Sequence, residues 1–244
     1  MIAPRQSSAA LGGAAVVAAT VASYAIGWGV GVPALVPVLN AAAAFPFMLG
    51  ALRRNDLRDA VVRMLLWALT MAVCATLLAY VRPWEMGTLF IRGDSYRTEM
   101  FTWVLTGHGA ESTPSQFIPQ QLGHTALFVL LATATGGVLA MPMGAVLMNY
   151  MATYVGSLAA ASARPVATMV LGWHPWAVVR IASFVALAVV LSEPVLSRVF
   201  KFRVDWPSAR RIAWWSVAGL VVDVVMKALL APSWQRILLR VVGW

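Results

Sequence analysis

The chain alternates long uncharged runs with short charged clusters, and the run lengths predict its elements. No charged residue occurs between Arg5 and Arg53. One helix of that length would overshoot a hydrocarbon core of ~30 Å about twice over. The run therefore predicts two spans, about 9–30 and 34–52, parted at Gly27, Trp28, Gly29, Gly31 and Pro33. Arg53, Arg54, Asp56, Arg58, Asp59 and Arg63 then form a charged loop. A third span follows over about 60–81 and stops at Arg82-Pro83-Trp84.

Residues 83–121 are mixed and polar, as befits an extracytoplasmic loop. Within them Asp94 can cap a helix ending at Gly107, with Tyr96, Met100, Trp103 and Val104 on one face, a pattern suited to the membrane interface. A second uncharged run, Ser112 to Ala163, holds two more spans turning at Met141-Pro142-Met143-Gly144, or one broken helix. The sixth span covers about 175–196, a basic loop runs from Arg198 to Arg211, and the seventh covers about 212–230. The tail, 233–244, carries a stripe of Trp234, Ile237, Leu238, Val241 and Val242 and reads as a second interfacial helix. The expected fold is all-α: a polytopic transmembrane helix bundle of about seven spans (six as alternative) plus two interfacial amphipathic helices, one integral membrane domain over 1–244.

Composition agrees. The chain is 61% hydrophobic and 11% charged, against roughly 45–50% and about 25% in soluble domains. The net charge of +9 would suit nucleic acid on a soluble protein. Here the basic residues gather at span ends, where they set topology and meet anionic lipid, so the expected partner is the bilayer and not nucleic acid. The two short basic loops fall on one side, which predicts a cytoplasmic N-terminus in a bacterial plasma (inner) membrane. Cys74 is the single cysteine and lies in an apolar run, so no disulfide forms within the chain.

Candidate chemistry is sparse. Asp223 and Lys227 stand four residues apart in the last span and so share a helix face. An ionisable group at membrane depth costs at least ~2.5 kcal/mol, so such groups face protein or water. The pair reads as an ion path or as a mutually neutralised lock between helices. Arg180 and Glu193 lie near opposite ends of the sixth span, close enough to snorkel or, alternatively, to join the span-seven charges. His108, Glu111 and His124 cluster around the polar loop, with His174 on the same side, as a candidate outer-face polar or metal site. Their spacing fits no metal motif, and the metal is unassigned. Asn149, Tyr150, Thr153 and Tyr154, with Thr133 and Thr135, form a polar stripe that suits either a path or interhelical hydrogen bonds.

Asp223-x-x-x-Lys227 in the last of seven spans resembles the microbial rhodopsins. That resemblance implies retinal on Lys227 with Asp223 as counter-ion. The third span reads Arg63-Met-Leu-Leu-Trp67, without the Arg-Tyr-x-Asp-Trp pattern of that family.

The functional expectation is a small transport or channel-type protein with Asp223 and Lys227 on the path. Asp223→Asn and Lys227→Met should then abolish transport and leave folding intact. The alternatives are a non-catalytic subunit of a larger membrane complex, or a homo-oligomer, and a membrane enzyme using the His/Glu cluster. No catalytic motif is present in the sequence, and the cofactor is unassigned.

Overall fold

The structure, a computed structural model, describes the backbone of residues 4–90 and 92–244 and the side chains of 11–90 and 92–244. Among these residues it is all-helical, with ten helices and no strands. They are α1 (Pro4–Val30), α2 (Leu35–Arg53), α3 (Leu57–Val81), α4 (Pro83–Leu89), α5 (Gly93–Thr106), α6 (Pro114–Thr135), α7 (Ala140–Ala160), α8 (Pro165–Gly172), α9 (Pro175–Phe200) and α10 (Trp206–Val242). Five of them (α1, α2, α3, α9 and α10) are long and apolar enough to cross a membrane. The helices α6 and α7 are of similar length, 22 and 21 residues, but more polar. Gln116, Gln120, Gln121 and His124 load the first half of α6, and Asn149, Tyr150, Thr153 and Tyr154 load α7.

Helix ends follow local chemistry. The Asp56 carboxylate accepts from the Asp59 N–H at 2.9 Å and caps α3. Asp205 does the same for α10 through the Ser208 N–H at 3.3 Å. The turn between α6 and α7 lies at Gly136 and Gly137, whose φ of 59° and 85° are left-handed, and not at Met141–Gly144. Two adjacent glycines adopt that backbone freely, whereas Pro142 sits in the first turn of α7, where its missing N–H is no loss.

The tail also departs from expectation. Helix α10 runs unbroken through Pro232, and its last turns dock on protein. Trp234 Nε1 donates to the Leu171 carbonyl at 2.9 Å, and Gln235 Nε2 donates to the Val104 carbonyl at 2.6 Å. Met100, Trp103 and Val104 of α5 share one buried apolar cluster with Leu238 and Val242 of α10. Most of the two stripes expected to lie on lipid therefore packs on each other and on α7, while Ile237 stays exposed.

The two basic loops lie on one end of the bundle. The Arg53 guanidinium stands 5.8 Å from the Phe200 ring centre, and the Arg203 N–H donates to Asn55 Oδ1 at 3.2 Å. At this end Arg63 Nε donates to Asp59 at 2.8 Å, and the same carboxylate pairs with Arg54 at 2.8 Å.

A buried polar network ties α1, α2, α3 and α7 together. Tyr24 donates to Asn149 Oδ1 at 2.6 Å, and Asn149 Nδ2 donates to Asn40 Oδ1 at 3.1 Å. Asn40 Nδ2 donates to Ser23 at 2.7 Å, and Trp67 Nε1 donates to the Asn40 carbonyl at 3.0 Å. Asn149 is thus an interhelical tie. Thr133 and Thr135 bond back to carbonyls of their own helix and line no path. Helices α3 and α7 pack tightly at Gly156, where an added Cβ would strike the Thr76 carbonyl and lie 2.6 Å from Ala79 Cβ and 2.9 Å from the Tyr80 nitrogen. Backbone on the facing helix cannot swing away, so Gly156→Ala should cost about 1–3 kcal/mol, the usual penalty for overpacking. Denaturant titration of the solubilised protein would read this directly, and a loss under ~0.3 kcal/mol would contradict the packing.

Candidate functional site

Lys227 and Asp223 share a face of α10, but each is bonded to a different partner. Asp223 is fully buried and binds the Arg180 guanidinium in a two-toothed pair, Nε to Oδ2 at 2.8 Å and Nη2 to Oδ1 at 2.9 Å. Gln121 Nε2 of α6 donates to the same Asp223 oxygen, Oδ2. Lys227 Nζ binds Glu111 Oε1 at 2.8 Å and lies over the Phe117 ring at 4.5 Å from its centre. The planar fork of Arg180 grips the Asp223 carboxylate with two parallel bonds, while Lys227 meets the loop acid Glu111 with one.

The depth of the pair follows from the helix boundaries. Counted from Trp206, Asp223 lies about 26 Å and Lys227 about 32 Å along α10. Arg180 lies about 8 Å inside the start of α9. The four charges therefore sit together on the side of the bundle away from the basic loops, within reach of the loop carrying Glu111.

Burial pushes the Glu111 carboxyl up, but Lys227, His174 and Arg180 outweigh it and hold its pKa below the ordinary value. His174 is buried just before α9, its Nε2 3.4 Å from the Tyr154 hydroxyl and its ring stacked on Trp176 at 4.7 Å between centres. Burial drives its pKa down to about 4, Glu111 opposes this, and Lys227 and Arg180 add to it. The imidazole is therefore neutral at pH 7. Burial, with Glu111 nearby, raises the Tyr96 hydroxyl above its ordinary value.

Below the four charges opens a cavity of about 180 Å³. Six thioethers line it: Met48, Met64, Met71, Met141, Met148 and Met151. Aromatic rings of Trp67, Phe117, Phe128 and Phe184 complete the apolar wall. Glu111, Lys227, Arg180, Gln120, Gln121 and His124 form its polar end, beside Tyr96 and Tyr150, whose rings stack at 5.7 Å. Along α9 the lining extends from Ala177 to Val189, about 18 Å of helix.

The expected His/Glu cluster divides. His124 and Glu111 reach the cavity, and His174 lies behind it. His108 is exposed on the surface beside Asp94, Thr98 and Glu99. The loop turns back after Gly107 and Gly109, both at positive φ, which carries His108 outward and Glu111 inward. Among the described residues no three His, Cys, Asp or Glu side chains converge as a metal would require. Glu193 is buried at the other end of α9, within electrostatic reach of Asp205, and takes no part in the four-charge network. Its Oε2 has no hydrogen-bond partner among the described residues.

Comparison with protein-family models, with curated proteins and with solved structures finds no match for this chain. The rhodopsin-like pattern gains nothing from the geometry either. Lys227 Nζ is bonded to Glu111, and the Asp223 oxygens face Arg180 rather than Lys227.

Proposed function

We propose that this is a seven-span transport-type protein of a bacterial inner membrane, with its two basic loops and its N-terminus on the cytoplasmic side. In this reading α6 and α7 cross with the five apolar helices. At ~1.5 Å per residue each is about 32 Å long, enough for the hydrocarbon core. Part of their low hydropathy comes from residues turned inward, Gln121 and His124 toward the cavity and Asn149 into the buried network, while Gln116 and Gln120 lie exposed in the first turns of α6. The gathering of the two basic loops on one end supports the orientation.

The observation that carries the transport reading is the extent of the cavity. It begins at the Glu111–Lys227 and Arg180–Asp223 pairs and reaches Met48, about 8 Å before the end of α2 at Arg53, and Met64, about 10 Å after the start of α3. A lining that follows about 18 Å of α9, with polar groups at one mouth, suits passage more than catalysis. Intramembrane ionisable groups mark pathways for the same reason.

The test is thiol accessibility in a Cys74→Ser background. Cysteines placed at Met71, Met148 and Ile181 should react with a small membrane-impermeant methanethiosulfonate at least about tenfold faster than cysteines at the outward-facing Leu69 and Val221. Equal inertness at all five sites would defeat the transport reading and leave the complex-subunit one.

A further inference from the structure

Resting on the transport reading, we infer that the cavity takes an uncharged amphipathic molecule whose polar end carries carbonyl acceptors, such as a lipid-soluble quinone or an ester lipid. Charge decides the first part. Glu111 and Asp223 are matched one for one by Lys227 and Arg180, so the polar end is already neutral. A ligand bearing a net charge would add an uncompensated ion to a site of low dielectric. A neutral head would not.

Donor capacity decides the second part. Arg180 spends Nε and Nη2 on Asp223, and Nη1 remains. Lys227 gives one N–H to Glu111, and two remain. Gln120 and His124 also face the cavity. Both Asp223 oxygens are occupied and Glu111 spends Oε1 on Lys227, so the unspent donors outnumber the unspent acceptors, and their complement is a carbonyl oxygen.

Size and access decide the third part. An apolar cavity of about 150 Å³ accepts one benzene ring, so 180 Å³ admits one ring-sized head with small substituents. Thioether walls adapt to varied apolar shapes. Only one helix separates the cavity from the lipid side at α6, which buries just Phe117, Phe128 and Ala132 among its residues. The tail of such a ligand would leave the site beside this helix, whose outer face is exposed.

The test uses the full chain in dodecylmaltoside and a series of short-tailed probes with different heads. Decylubiquinone and dioctanoylglycerol are neutral acceptors, decanoate is anionic, and decyltrimethylammonium is cationic. Binding is read by thermal stabilisation and calorimetric titration. At least one neutral probe should bind tenfold or more tightly than either charged one, and the better of the two identifies a quinone or an ester as the natural chemistry. Met148→Trp, which fills the cavity without touching a charge, should abolish that binding, and His124→Phe should weaken it several-fold. Preference for decanoate or for decyltrimethylammonium overturns the inference and leaves the transport reading standing. Failure of all four probes overturns the inference. Only if the cavity cysteines are inert as well does the transport reading fall with it.

Discussion

Asp223→Ala should lower the stability of the solubilised protein by about 3–5 kcal/mol, the cost of removing one partner from a buried ion pair. Asp223 is fully buried, and the Arg180 side chain is 27% exposed, so the stranded guanidinium gains little from water. The Gln121 amide loses its acceptor at the same time. The paired change Arg180→Met with Asp223→Leu should recover most of that loss, because well-packed apolar residues replace a buried pair at small cost. A double-mutant cycle in denaturant separates the two. If Asp223→Ala costs less than about 0.5 kcal/mol, the pair holds nothing together.

This outcome revises the expectation that Asp223→Asn or Lys227→Met would spare folding. That expectation placed the two residues on a path, where neither holds another element. With Arg180 and Glu111 as the actual partners, each single neutralisation strands one charge on another element.

The reason this escaped the sequence is geometric. Helical periodicity tells which residues share a face of one helix, so Asp223 and Lys227 were visible as neighbours. It says nothing about which face of another helix stands opposite, and Arg180 and Glu111 lie on other elements. Arg180 could be placed only as a candidate partner, and Glu111 only as part of a loop cluster with His108. The long helices were legible because charge stops an apolar run abruptly, as at Arg53 and Arg82, whereas the short α4 and α8 were not foreseen and α10 joins two expected helices. The turn before α7 was misplaced because proline outweighed glycine in the reading. Gly136-Gly137 carried the stronger signal, since a proline in the first turn of a helix breaks nothing. The cavity had no local signature at all. Its six methionines come from α2, α3 and α7, and only the count of 12 methionines in the chain hinted at them.

Acidification should destabilise the protein in two adjoining windows, and His174 governs the first. Its folded pKa is about 4, below the ordinary 6.5, so between these values the unfolded chain binds a proton that the folded chain refuses. Stability is then fully present above pH 6.5 and declines as pH falls toward 4, by roughly 3 kcal/mol if the whole shift is realised. Burial between Tyr154, Trp103 and Trp176 is the leading cause. Glu111 adds a second loss at lower pH. Its folded pKa lies below 4.5, held down by Lys227, His174 and Arg180 against its burial. It therefore contributes stability above 4.5 that disappears as pH drops through the folded value. Replacing His174 with Phe keeps an aromatic ring in the pocket and removes the titrating group. Denaturant midpoints measured from pH 7.5 to 4.5 should then fall steeply in the native protein and stay nearly level in His174→Phe. A parallel decline in both would assign the acid sensitivity to another group and free His174 of that role.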